Sequence, residues 1–184
     1  MSATNYQFYR THPEAIEQVV AAANITNQCT VLEPSAGEGH LVDAVLWRYP
    51  RRVVAVELCE VRHQILRQRY AHRFDVHTVC HDFLQTAWTD RFDRVVMNPP
   101  FNTEDGCPGE AAHVLHAYAA ALKPGGVLTA IVTPRFLTAA HDEPPLNHRI
   151  RELVAGVFTP LPHNDAVGAT RQTVLIRLEK PHAP

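Results

Sequence analysis

The chain is poor in lysine, in long hydrophobic runs and in residues that mark export. Lysine occurs only at positions 123 and 180 of the 184 residues, and the formal net charge is −2. Autonomous nucleic-acid binders are usually strongly basic, so this composition argues against a strong one. No apolar run approaches the roughly 18 residues that a membrane span needs, and residues 1–10 lack the apolar centre of a signal peptide. We therefore expect one domain over residues 1–184 without membrane contact.

Cysteine is scarce and scattered, which argues against a disulfide-stabilised protein and against a zinc-binding protein. The segment 77–81 holds two histidines and a cysteine, and we interpret it as a strand end rather than a metal site. Buried, reduced thiols predict a cytoplasmic protein. Because the cysteines form no CxxC pair, neither a disulfide framework nor a zinc site is predicted; they are Cys29, Cys59, Cys80 and Cys107.

What the chain does have is a regular alternation of short β-rich runs with helical patterns. This predicts an α/β fold, a doubly wound, mostly parallel sheet with helices on both faces. The last two strands are expected to form an antiparallel pair at the sheet edge, and residues 134–147 a long loop. The predicted strands are 29–33, 52–57, 75–79, 92–97, 127–133, 157–161 and 173–178, and the helices 13–24, 39–49, 60–70, 110–122 and 148–155.

A glycine-containing turn, residues 33–39, joins the first strand to the second helix and begins with Glu33. A second acid, Glu57, ends the next strand, and Asp82-Phe83 follows the third. Open α/β sheets bind ligands at the carboxyl ends of their strands. We therefore predict a nucleoside across the three strand ends, with Glu57 on a ribose diol and the Phe83 ring, next to Asp82, against an adenine face.

The glycine turn departs from the dinucleotide pattern. After Gly39 come His40, Leu41 and Val42, so GxGxxG is incomplete. This disfavours a diphosphate ligand. The Glu33 carboxylate has the same implication, because it attracts a cationic group and repels phosphate. The sequence favours a nucleoside cofactor without phosphates.

A second motif, Asn98-Pro99-Pro100-Phe101, follows the fourth strand. Two prolines stiffen the backbone. The side-chain oxygen of Asn98 and the carbonyl of Pro99 are expected to accept hydrogen bonds from one –NH2 group, which positions the amine beside an electrophile. The Phe101 ring is expected to stack on the flat group that carries the amine.

In these motifs the sequence resembles the class I S-adenosylmethionine-dependent methyltransferases, in the group that includes N6-adenine DNA methyltransferases. The resemblance implies a seven-stranded sheet with an antiparallel last strand, S-adenosylmethionine as the cofactor, direct SN2 transfer and no metal. It places Thr11 in a motif that borders the methionine end of the cofactor. The implied cofactor contacts are Thr11, Glu33, Pro34, Ser35, Ala36, Gly37, Gly39, Glu57, Leu58, Asp82, Phe83 and Asn98, and the catalytic set is Asn98, Pro99, Pro100 and Phe101.

Adenine N6 in DNA, flipped out or single-stranded, is the leading substrate, because the N-terminal motif precedes the glycine turn. The alternatives are guanine N2 of ribosomal RNA, a protein glutamine and, in another class, a non-catalytic partner subunit. The segments 102–108 and 134–147 are the expected substrate surface, with Arg135, Phe136, His141 and Arg149 in or beside the second. No separate target recognition domain is predicted, so the alternatives are a protein partner that supplies recognition and very loose specificity.

Overall fold

The computed structural model describes residues 11–89, 91–101, 109–134, 145–154, 158–161 and 172–182. A 3-10 turn, Phe83–Gln85, follows the third strand, and a π-helical turn, Ala117–Ala121, extends the fourth helix. The helices are α1 (Pro13–Ala22), α2 (His40–Leu46), α3 (Glu60–Arg69), α4 (Gly109–His116) and α5 (Pro145–Val154), and the strands are β1 (Thr30–Glu33), β2 (Arg52–Glu57), β3 (Val76–Cys80), β4 (Phe92–Met97), β5 (Leu122–Val132), β6 (Phe158–Pro160) and β7 (Val174–Glu179).

The seven strands form one sheet in the order β3-β2-β1-β4-β5-β7-β6. Strands β1 to β5 are parallel, and β7 runs antiparallel to both β5 and β6. This confirms the predicted fold class, including the antiparallel last strand. The strand order reverses between β1 and β4, and in open α/β sheets such a switch point is where ligands bind.

Alternate residues of the central strands face two separate cores. Val31 of β1 packs with residues of α1, α2 and α3 on one face of the sheet. Its neighbour Leu32 packs with residues of α4 and α5 on the other. Because both faces are covered, consecutive residues within the central strands are apolar, as in Val31-Leu32 of β1 and Val95-Val96-Met97 of β4.

Two predicted boundaries were wrong for identifiable reasons. Helix α2 ends at Leu46 rather than at residue 49, since Tyr49 has a φ of 53°, outside the helical region. Strand β5 begins at Leu122 rather than at residue 127. The Pro-Gly-Gly segment continues the strand because the Gly125 N–H donates to the Lys180 carbonyl at 2.8 Å and the Lys180 N–H donates to the Gly126 carbonyl at 2.9 Å.

The predicted loop 134–147 is shorter than expected, because α5 begins at Pro145. Residues 102–108, 135–144 and 162–171 lie outside the described residues, so the predictions for Arg135, Phe136, His141 and Cys107 do too. Arg149 is exposed on α5.

The prediction of buried thiols was wrong for Cys80, which is exposed because β3 is an edge strand, whereas Cys29 is buried. Among the described residues no three histidine, cysteine or carboxylate side chains lie together as metal ligands would. No helix in that part of the chain is long and apolar enough to cross a bilayer.

Candidate active site

The predicted site residues come together at the carboxyl edge of the sheet, which we define as the ends of β1 to β4. Glu33 is the last residue of β1, and Glu57 is the last residue of β2. Asn98 directly follows β4, which pairs with β1 in parallel. Asp82 lies two residues beyond β3. The parallel arrangement therefore brings together groups that are far apart in the sequence.

Glu33 is almost completely buried, with 1% of its surface exposed. One carboxylate oxygen accepts the Ser35 N–H at 3.0 Å. Burial raises the pKa of Glu33 well above its ordinary value, the Ser35 N–H opposes this in part, and the nearby Glu57 carboxylate raises it further. A buried carboxyl group with a raised pKa attracts a cationic ligand group, because a cation compensates for the lost hydration.

Glu57 holds the glycine turn against β2. Its Oε2 accepts the Gly37 N–H at 2.8 Å, and its Oε1 accepts the Cys59 N–H at 2.8 Å. Arg62 donates to the same Oε1, with Nε at 3.1 Å. A carboxylate has about four acceptor positions, so Oε2 retains capacity for a ligand hydroxyl. The exposed Leu58 follows directly in the chain.

The two glycines of the turn adopt left-handed backbone conformations, with φ of 56° at Gly37 and 93° at Gly39. A Cβ at Gly39 would lie 2.5 Å from the Tyr70 hydroxyl oxygen. That hydroxyl donates to the Gly39 carbonyl at 2.9 Å. Packing against Tyr70 therefore requires glycine at position 39, whereas the sequence alone suggested close approach to a ligand.

Asp82 and Phe83 differ from the predicted pair in one respect. Asp82 caps the 3-10 turn, because its Oδ1 accepts the Leu84 N–H at 2.9 Å. The Phe83 ring is 2% exposed and packs on His113 and His116, with ring centroids 5.6 and 4.9 Å away. The ring is enclosed in this way, so stacking on an adenine, which stays a prediction, would require the ring to become accessible.

Asn98 is oriented by a residue far away in the sequence. Its Nδ2 donates to Thr11 Oγ1 at 2.8 Å, and Thr11 is itself buried. The Asn98 Oδ1 is also buried and has no hydrogen-bond partner among the described residues. Unsatisfied buried acceptors are uncommon, and each calls for an explanation. Here the amide oxygen is a buried acceptor that no donor among the described residues uses.

The residues around Asn98 fix the motif in place. The Ser35 hydroxyl donates to the Asn98 carbonyl in a long hydrogen bond of 3.4 Å, which links the glycine turn to the end of β4. Pro99 is buried and Pro100 is partly buried. Phe101 is 2% exposed, so stacking on a substrate would require its ring to become accessible.

The donor set at this edge fits a cofactor that carries an ammonium group and a ribose but no phosphate. Glu33, Glu57 and Asp82 all carry carboxyl groups, and Arg62 is, among the described residues, the arginine that contacts them, through Glu57. A diphosphate would meet repulsion here. Glu33 suits the ammonium group, and Glu57 suits ribose hydroxyls. The buried Pro34 and Ala36 shape the turn, and the Ala36 N–H donates to the Val56 carbonyl at 2.8 Å.

Sequence reasoning missed how the site is held together. Thr11 was assigned to the cofactor, but its visible contact is with Asn98, 87 positions away. Arg62 was not among the predicted site residues, but it bridges to Glu57. Neither contact has a signal in residue spacing, because both depend on how elements pack.

Comparison with known proteins agrees with this geometry. The family model of the methyltransferase small domain matches residues 17–154, which is more than half of the chain. The Methanosarcina mazei protein named ribosomal RNA small subunit methyltransferase A is 34% identical over 87 residues, which cover 47% of this chain but only 31% of that protein.

Two solved structures share the fold. One is a Pyrococcus horikoshii protein described as an RNA methyltransferase, with a TM-score of 0.72, 18% identity, and coverage of 98% of this chain and 91% of the other. The second, from Thiobacillus denitrificans, is a methyltransferase in complex with S-adenosylhomocysteine, with a TM-score of 0.55, 15% identity, and coverage of 70% and 52%. The chain belongs to the methyltransferase small domain family, a family of S-adenosylmethionine-dependent methyltransferases.

Proposed function

We propose that the chain methylates the exocyclic N6 amine of adenine in nucleic acid. The observation that carries the proposal is the Asn98 Oδ1, a buried acceptor without a partner among the described residues. It lies at the carboxyl edge, one strand away from the buried Glu33. An amine donates hydrogen bonds, so it satisfies this acceptor and is held beside the cofactor carboxylates.

The proposed mechanism relies on positioning. S-adenosylmethionine supplies a methyl group on a positively charged sulfur. Asn98 Oδ1 and the Pro99 carbonyl each accept one N–H of the amine, which directs the nitrogen lone pair out of the base plane. Neither group removes a proton before transfer: the new N–C bond would form as the C–S bond breaks, the sulfur would leave as a neutral thioether, and the methylated nitrogen would then lose its proton to water. Holding the reacting atoms in this way accounts for a large part of the barrier reduction in such reactions.

We assign Thr11 the task of orienting the Asn98 amide. Because Thr11 Oγ1 accepts from Nδ2 at 2.8 Å, the amide oxygen is left to face the substrate. If the amide were flipped, it would present its NH2 group to the amine of the substrate, and two donors repel each other. The Ser35 hydroxyl on the Asn98 carbonyl restrains the same residue from the backbone side.

Two nucleic acids are candidates for the substrate. The position of Thr11 in a motif before the glycine turn favours DNA, as in the methyltransferases that the sequence resembles. Ribosomal RNA is favoured by the relatives named ribosomal RNA small subunit methyltransferase A, which are 30–34% identical over 87 residues. Both substrates require that the adenine leaves its base stack or is single-stranded.

The test is methyl transfer from radiolabelled S-adenosylmethionine to unmethylated DNA, ribosomal RNA and total protein. The Asn98→Ala variant serves as the negative control for methyl transfer. Thr129→Val is a matched control, because Thr129 in β5 is buried and its hydroxyl, like Asn98 Oδ1, has no partner within the described residues. Digestion of the product and chromatography then identify the methylated base.

Label recovered as N6-methyladenine, in either nucleic acid, is the expected result. Asn98→Ala should abolish it while cofactor affinity stays within a few-fold, and Thr129→Val should retain it. Full activity in Asn98→Ala, or label on a different nitrogen or in protein alone, would refute the proposal.

A further inference from the structure

A second concave site lies at the amino edge of the sheet, which we define as the starts of β1 to β5. This groove encloses about 490 Å³. Residues at or next to the start of each of these five strands line it, among them Arg52, Phe92 and Lys123. Strands β2 and β4 have six residues each, so about 20 Å separates this groove from the carboxyl edge. It is therefore distinct from the site of the proposed methyl transfer.

Cationic residues predominate among the described residues that line the groove. Four of these are cationic, namely Arg51, Arg52, Arg91 and Lys123, and one, Asp75, is anionic; Lys123 is already bridged to Asp93 at 2.8 Å. Asp75 is already bridged to Arg73 at 2.6 Å, and this contact holds the pKa of Asp75 below its ordinary value. The groove thus offers cationic groups although the whole chain has a net charge of −2.

Two of these arginines are exposed, Arg51 and Arg91. One guanidinium nitrogen of Arg91 donates to the Ala119 carbonyl at 3.0 Å, which anchors the side chain without neutralising it. Within the part of the chain that the structure describes, neither arginine forms an ion pair with a carboxylate. Arginine binds phosphate oxygens through two parallel hydrogen bonds, so both are suited to a phosphate backbone.

An aromatic ring completes the groove. Phe74 lines it and is 94% exposed, the largest value among the exposed large hydrophobic residues described. Trp47 and Tyr49, also exposed, lie in the connection that leads to Arg51. One exposed aromatic residue is ordinary on a protein surface. An exposed ring within the same groove as several arginines is the combination by which proteins bind single-stranded nucleic acid, because bases stack on rings while cations hold phosphates.

We propose that this amino-edge groove binds a single-stranded segment of nucleic acid, with phosphates on Arg51 and Arg91 and a base on Phe74. The charges of the two edges favour this assignment, because the described carboxyl edge carries Glu33, Glu57 and Asp82 and repels phosphate. A binding site remote from the catalytic edge gives the chain the affinity for a polyanion that the catalytic edge lacks. The inference shares with the proposed function only the view that the substrate is a nucleic acid.

The experiment measures fluorescence anisotropy of short labelled oligouridylate with the full chain between about 50 and 200 mM salt. Oligouridylate contains no adenine, so it does not engage the proposed catalytic pocket through a target base. Oligothymidylate in a parallel arm distinguishes RNA from DNA. The variants are Arg51→Ala/Arg91→Ala, its charge-conserving partner Arg51→Lys/Arg91→Lys, and Phe74→Ala. Phe158→Ala in β6 removes an exposed aromatic at the far edge of the sheet.

The double alanine variant should weaken binding and lower the slope of log Kd against log salt by about 0.7 for each lost phosphate contact. The double lysine variant should keep most of the slope, because the charge remains. Phe74→Ala should weaken binding about tenfold, the effect of losing one stacked base, and Phe158→Ala should not. Unchanged S-adenosylmethionine binding verifies that each variant is folded.

The proposal is overturned if the chain binds neither oligonucleotide at low salt, or if the alanine variants leave affinity and slope unchanged. It is also overturned if polyglutamate competes as well as unlabelled oligonucleotide, since the groove would then be a general polyanion site. Groove-dependent binding without any methyl transfer would instead refute the proposed function and leave this inference standing.

Discussion

One hydroxyl group determines which way the Asn98 amide faces, and removing it is a direct test of the site. Thr11→Val replaces the hydroxyl with a methyl group of similar shape. The Asn98 Nδ2 then loses the acceptor that lies 2.8 Å away. Because Thr11 is buried, we do not expect water to replace the hydroxyl at full strength.

The expected effect follows from the free energy of one hydrogen bond. A bond of this kind contributes about 0.5–1.5 kcal/mol, and 1.4 kcal/mol corresponds to a factor of ten. If the bond sets only the ratio of the two amide orientations, its loss lowers kcat about twofold. If the bond also strengthens as Oδ1 accepts the substrate N–H, kcat falls by up to about tenfold. The free energy of unfolding should fall by about 1–3 kcal/mol, because a buried donor is left unpaired.

Steady-state methyl transfer and urea unfolding measure the two effects. Thr11→Ser keeps the hydroxyl and should retain kcat within about twofold. Thr129→Val removes a buried hydroxyl that has no partner among the described residues, and should change neither kcat nor stability by much. Native kcat and stability in Thr11→Val would refute the orienting role. A loss of cofactor affinity alone would instead support the assignment of Thr11 to the cofactor that the sequence implied.

Three further changes test other parts of the site. Gly39→Ala should lower the free energy of unfolding by about 2–5 kcal/mol, because φ is 93° at this position and the new Cβ would meet the Tyr70 hydroxyl. If the same substitution lowered the free energy of unfolding equally in a Tyr70→Phe background, the steric explanation would be contradicted. Burial raises the pKa of the Glu33 carboxyl group in the folded protein. The contribution of this group to the free energy of unfolding is therefore complete at pH values below its pKa in the unfolded chain, and it is lost as the pH rises through the raised pKa of the folded state. Urea unfolding across that range should show this slope, and Glu33→Gln should remove it. Glu110→Ala should lower stability by on the order of 3 kcal/mol, because the buried Thr133 N–H and hydroxyl lose their shared acceptor; a thermal melt like that of the native chain would rule this out.

Much of the fold follows from local patterns in the sequence. Strands β2 and β4 have their predicted bounds because the apolar runs at residues 53–56 and 95–97 are followed by charged or turn-forming residues. The Pro-Gly-Gly segment before Val127 was predicted as a break. Its glycines instead pair with Lys180, and only the partner strand β7 makes that pairing available. Local propensity was overridden here by a tertiary contact.

In the candidate site, too, some features follow from local sequence and others depend on tertiary contacts. Motif position correctly placed Glu33, Glu57 and Asn98 at neighbouring strand ends, because parallel strands end at one edge. It did not show that the Phe83 ring packs in the core or that Thr11 contacts Asn98. Which face a side chain takes after a strand depends on the packing of the helices around it, and residue spacing does not contain that information.

The unpartnered Asn98 oxygen differs in kind from the other buried groups without a partner in the described part of the chain. Thr129 and Thr173 have such hydroxyls, but a hydroxyl both donates and accepts, and it rotates to use whichever neighbour is present. An amide oxygen only accepts. Thr11 Oγ1 accepts from the Nδ2 end at 2.8 Å, and exchanging the two ends of the amide would require the Thr11 hydroxyl to turn from acceptor to donor. A fixed, buried acceptor at the carboxyl edge costs folding free energy until a donor arrives, and a substrate amine is a donor of the required kind.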